Sequence, residues 1–127
     1  MWKHDILESR GGVMANHRYY GEGTVDAVVD LIKIGFPSTG ISVTFVDEAW
    51  NADRNVCMLV FEKYFMRVEN RVSLSILVYL ENQEVCVDLI GSGGGRGAIF
   101  SFSWGSEEDF AYSLGKMLAE RGFRKRA

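Results

Sequence analysis

Proline occurs once among the 127 residues, and no low-complexity tract is present. This excludes disordered, collagen-like and mucin-like chains, whose biased composition cannot build a packed core. No apolar run approaches the ~20 residues of a membrane span, and the N-terminal stretch has no signal-peptide apolar region. Positive charge is not in excess: 14 Lys and Arg against 17 Asp and Glu leave a net charge of -3. A dedicated nucleic-acid binder gains affinity by neutralising phosphates, so no nucleic-acid partner is expected.

Cysteine and histidine are equally scarce, at two residues each. Cys57 and Cys86 both sit inside apolar runs, with no C-x-x-C pair. A small secreted domain would carry a denser disulfide framework, so a reducing cytoplasm is the expected compartment. The sharper reading of either thiol is a nucleophile or metal ligand; the simpler one is a buried thiol acting as a small hydrophobe. His4 and His17 are the two histidines, and neither lies at ligand spacing from a cysteine. A structural zinc site is therefore excluded, and no metal or other cofactor is expected.

What is present fits one domain. Hydrophobic residues make up 47% and charged residues 24%, the proportions of an ordinary soluble domain. A chain of this length buries roughly 65% of its unfolded surface, enough for a core without staples. The expected domain covers residues 14–127. Residues 1–13 read as an extension, because Glu8-Ser9-Arg10-Gly11-Gly12-Val13 can be encoded by purine-rich codons resembling a ribosome-binding site ahead of Met14. The competing reading is an N-terminal strand over 3–8 turning at Gly11-Gly12. The intact mass of the protein from its native host decides between the two.

Along the chain, 16–20 reads as a short strand broken by Gly21-Glu22-Gly23. Thr24 offers an N-cap, Asp26 suits the first turn, and Val25, Val28, Val29 and Ile32 form one apolar stripe. Gly35, Pro37 and Gly40 end that helix. Residues 41–47 alternate as a half-buried strand, 51–55 is a polar turn, and 56–66 is a strand apolar on both faces as far as Phe61. In 71–80, Val72, Leu74, Ile76, Val78 and Leu80 fall on one side, with Ser73, Ser75, Leu77 and Tyr79 on the other. Asn82-Gln83 turns the chain into 84–90. After glycines at 91–97, residues 98–104 form a strand with Phe100, Phe102 and Trp104 on one face.

Ser106 ahead of Glu107-Glu108-Asp109 resembles a capping box. Phe110, Leu114, Met117 and Leu118 follow at helical spacing, and Gly122 stops the helix. The short turns join antiparallel neighbours. The predicted fold is therefore two-layer α+β: an antiparallel β-meander of five to six strands, order β-α-β-β-β-β-β-α, with two helices packed on one face. That leaves a second sheet face partly apolar, with Leu59, Phe61, Leu77 and Tyr79 as its candidate interface residues.

Chemistry-bearing motifs are few. The run Gly91 to Gly97 could cradle an anion through bare amides, with Gly93, Gly94, Gly95 and Arg96 as the candidate ligand-binding residues. However, it joins two strands and lacks both the P-loop ending and the dinucleotide register, so a flexible hairpin connection is simpler. Glu62 and Asp88 lie in apolar strands and could be inward-facing acids, although an outward placement is simpler. His17 reads as a surface residue. Arg121, Arg124, Lys125 and Arg126 read as a solvated basic tail that also suits a helix C-terminus.

From Met14 onward, the strand before Thr24-Val25-Asp26, the meander, and the ending Ile90-Gly91-Ser92-Gly93-Gly94 through Trp104-Gly105-Ser106-Glu107-Glu108-Asp109-Phe110 resemble a family of small uncharacterised bacterial proteins. That family occurs mainly in Firmicutes and is described as a domain of unknown function. The resemblance implies a cytoplasmic bacterial protein and carries no functional residues with it. Three readings follow. The first is a non-enzymatic module that forms a homodimer or binds a partner through the second sheet face. The second is a small-molecule carrier with a helix-grip-like hydrophobic pocket lined by Phe100, Phe102 and Trp104. The third is anion binding at the glycine-rich loop.

Overall fold

The computed structural model describes residues 15–39, 43–65, 70–93 and 112–126. Strand β1 (Ala15–Gly21) leads through Gly23 into helix α1 (Val25–Gly35) and a 3-10 turn (Phe36–Thr39). Strands β2 (Thr44–Trp50), β3 (Val56–Phe65), β4 (Asn70–Glu81) and β5 (Glu84–Gly93) follow. Residues 112–120 form helix α2, and β6 (Arg124–Arg126) comes last. The open sheet has the order β2-β3-β4-β5-β1-β6, antiparallel at each step. Among the described residues the fold is thus α+β, with two α-helices and six strands. The strand expected at 98–104 lies outside the described residues.

Local chemistry sets each boundary. Thr24 has extended backbone, and its hydroxyl accepts from the Ala27 amide at 3.1 Å, satisfying one of the free donors of α1. At the other end the Ser38 hydroxyl donates to the Gly35 carbonyl at 2.7 Å, closing the 3-10 turn. Between β2 and β3, the Asn51 side-chain oxygen accepts from the amides of Asn55 and Val56 at 3.0 and 2.9 Å. Asn82 and Gln83 adopt φ of 55° and 67°, the left-handed pair that a two-residue hairpin between β4 and β5 demands.

The apolar stripe of α1 meets the sheet as its spacing predicts. Val25, Val28, Val29 and Ile32 join Leu114, Met117 and Leu118 of α2 in one cluster over Cys57, Leu59, Phe61, Leu74, Ile76 and Val87. Both helices therefore cover the same sheet face. Close approach is built in at Gly115, where an added Cβ would collide with the Tyr19 phenol, and at Gly35, where it would lie 2.7 Å from the Met117 sulfur.

Two elements depart from the sequence reading. Strand β2 begins at Thr44 and continues to Trp50, beyond the expected end at 47, with a bulge between Phe45 and Asp47. There Glu48 forms an ion pair with Lys33 of α1 at 2.6 Å and accepts from the Trp50 indole N–H at 2.9 Å. The second departure is β6, read from sequence as a solvated tail. Gly122, at φ 95°, donates to the Ala119 carbonyl at 3.0 Å, and Phe123 donates to the Leu118 carbonyl at 3.0 Å. This paired closure is a Schellman turn, with Phe123 and Leu118 both buried beside it. It sends Arg124–Arg126 back along β1, while Gly21 leaves room for the Phe123 ring 2.5 Å from where a Cβ would sit.

Candidate interaction face

Pleating divides each strand between the helix-covered face and its reverse. The reverse face is built in rows across the sheet. One row runs Ala49, Met58, Leu77, Asp88, Arg18, Arg126; the next runs Val56, Tyr79, Cys86, Tyr20, Arg124. The face therefore has two halves. Around Met58 and Leu77, 45% and 37% exposed, with Val56 exposed nearby, it is apolar, whereas Asp47, Glu62, Ser73 and Ser75 make the rest of its β2–β4 part polar. Across β5, β1 and β6 it is charged.

The charged half is knitted together. Asp88 receives the Arg18 guanidinium at 2.6 and 3.1 Å, and the Tyr79 hydroxyl donates to the same carboxylate at 3.1 Å. The hydrogen bond to Asp88 raises the Arg18 pKa above its ordinary value, so this cation stays charged throughout the accessible range. Burial, with Asp88 adding to it, pushes the Tyr79 phenol up to about 12. Arg126 stacks over the Tyr20 ring at 4.9 Å, and Arg124 pairs with Glu84 at 2.9 Å. Cys86, flanked in register by Tyr20 and Tyr79, is fully buried; burial and its contact with Glu81 push its thiol up to about 11.

The sequence-derived candidates divide. Leu77 and Tyr79 lie on the reverse face as expected. Leu59 and Phe61 do not: both are fully buried on the helix-covered face, opposite Ile76 and Leu74. Strand β3 is apolar on both sides, so alternation alone could not choose its register. Pairing with β4 places Met58 on the reverse face instead. The glycine run also differs from a free loop at its start, because Gly91 to Gly93 complete β5 and Gly93 pairs with Val72. Gly94, Gly95 and Arg96 lie outside the described residues, as do Phe100, Phe102 and Trp104.

Neither strand carboxylate points into the core. Asp88 meets Arg18, and Glu62 meets Arg71 at 3.2 Å. His17 is half-buried opposite Leu89, on the helix-covered side. Cys57, free and buried under the helices, has its thiol pushed up to about 11 chiefly by burial. Among the described residues, no group of three or more His, Cys, Asp or Glu side chains could hold a metal ion. No described helix is long and apolar enough to cross a membrane.

A family model described as a family of unknown function, DUF6054, matches residues 14–122. The chain belongs to this family. The match takes in β1 through the Schellman glycine, so strands β1–β5 and both helices fall within the DUF6054 domain, while β6 follows it. No curated protein and no solved structure matches the chain.

Proposed function

We propose that this DUF6054 protein is a non-enzymatic cytoplasmic association module that forms a homodimer through the reverse face of its sheet. The observation that carries this reading is the directly paired Met58 and Leu77, with Val56 and Ile90 exposed in the rows on either side. A contiguous apolar area on a sheet face is a common mark of an interaction surface. The sheet edges are poorer candidates. Asp47 charges the β2 edge, and Lys125 and Arg126 charge the β6 edge, none of them ion-paired among the described residues, so like edges repel in a symmetric pair. A two-fold pairing through the apolar half presents the same patch from both copies.

The test is mass by light scattering and native mass spectrometry across a concentration series. The parent chain runs as a dimer. Leu77→Arg runs as a monomer with an unchanged circular dichroism spectrum. A parent chain that stays monomeric at high micromolar concentration overturns the reading.

A further inference from the structure

A second feature lies on the opposite side of the molecule, among the helices. Where Gly35 lets α1 approach Met117 of α2, the 3-10 turn and α2 diverge to leave a half-open groove of about 410 Å³. That volume falls within the range of small-molecule sites. Its wall is polar. Ser38, Ser113 and Tyr112 contribute hydroxyl groups, and Ser38 keeps its lone pairs free because its proton goes to the Gly35 carbonyl.

Lys116, Glu120 and Arg121 supply the charge. Elsewhere on the described surface, Arg18, Lys33, Arg54, Arg71 and Arg124 each pair with a carboxylate, while Arg126 lies over the Tyr20 ring and Lys125 stands on the β6 edge without an ion pair. Lys116 and Arg121 form no ion pair among the described residues, and neither does Glu120, although Lys116 and Glu120 stand at the i, i+4 spacing that permits one. Two cations and one carboxylate, all exposed, thus line the same groove without an ion pair among the described residues.

We infer that this groove binds a small phosphomonoester that carries hydroxyl groups, of the sugar-phosphate class. The two cations take the phosphate oxygens as charge-assisted acceptors. The Glu120 carboxylate would repel a bare dianion, but it accepts hydrogen bonds from ligand hydroxyls, as Ser38 and Ser113 do. A fully anionic ligand without donors fits less well than one with both. The site is independent of the sheet face, and dimerisation neither requires nor excludes it.

Isothermal titration of the full chain with glucose 6-phosphate, inorganic phosphate and glucose tests the inference. Glucose 6-phosphate binds saturably with a Kd of about 1 mM or tighter, a free energy of roughly 4 kcal/mol. Inorganic phosphate and glucose each bind at least tenfold more weakly. Lys116→Ala with Arg121→Ala, whose folding is checked by circular dichroism, lowers the affinity by about tenfold or more. Glu120→Gln narrows the preference for the sugar phosphate over inorganic phosphate. The inference is overturned if glucose 6-phosphate gives no saturable heat at 10 mM, if the double variant binds as the parent does, or if inorganic phosphate binds equally well.

Discussion

Strand β4 shows two environments one residue apart. Val72, Leu74, Ile76 and Val78 are fully buried beneath the helices, whereas Leu77, between two of them, is 37% exposed on the reverse face. Leu74 and Leu77 are the same amino acid on the same strand, so only the pleat separates them. Burial is worth roughly 25 cal/mol per Å² of apolar surface, and on the covered face two helices supply it. On the reverse face the chain's described elements supply it only in part. The covered face buries most of the described core, whereas on the reverse face Tyr20 and Cys86 are buried and Met58 and Leu77 are left partly exposed.

The widest separation is expected between Leu74→Ala and Leu77→Ala. The first leaves a cavity in the core and costs about 2–5 kcal/mol in urea unfolding. The second costs less than about 1 kcal/mol at concentrations where the chain is monomeric, and it weakens dimerisation. Equal losses would mean that the two faces are equally covered. Gly115→Ala should come next, at about 1–3 kcal/mol, because its Cβ must displace the Tyr19 phenol where α2 meets β1. An alanine variant as stable as the parent would show that this contact yields freely.

A smaller effect lies at the margin of the covered face. The Lys33 ammonium, with the Trp50 indole, holds the Glu48 carboxyl below its ordinary 4.5. A depressed folded-state pKa contributes stability that is fully present above the unfolded value and is lost as pH falls through the folded one. Thermal unfolding of the parent should therefore decline more steeply below about pH 4.5 than that of Glu48→Gln. Parallel acid profiles would remove the ion pair from the account.

The smallest expected change concerns the cysteines, one on each face. Both thiols are buried and pushed up to about 11, so neither should alkylate with iodoacetamide at pH 8 in the folded chain, and both should do so in urea. Labelling of Cys86 alone under native conditions would show that the Tyr20 and Tyr79 cover opens.

What could be read in advance was local. The Thr24 cap, the α1 stripe, the alternation of β4, the Asn82-Gln83 turn and the Gly122 stop each depend on neighbours within a few residues. The rest depends on distant partners. Leu59 and Phe61 could be assigned to a face only through β4, because β3 is apolar on both sides. The bulge that carries β2 past 47 is supported by Lys33 of α1. Arg18 and Asp88 were both visible as charges, but they stand 70 residues apart, and no spacing rule joins them. The run Arg124–Arg126 has the composition of a solvated tail, and only its pairing with β1 makes it a strand.

That last strand bears on how the chain acquires its shape. The partners of β1 on either side are β5 and β6, the latter more than a hundred residues downstream. The meander β2–β5 can zip through hairpin contacts as it emerges, whereas β1 must remain unpaired until the sheet can receive it. Closing loops over such separations costs entropy, and β6 can add its row only after the Schellman turn has reversed the chain. An assembly order that runs from the β2–β5 meander outwards is therefore expected, with β6 joining the described sheet after β1.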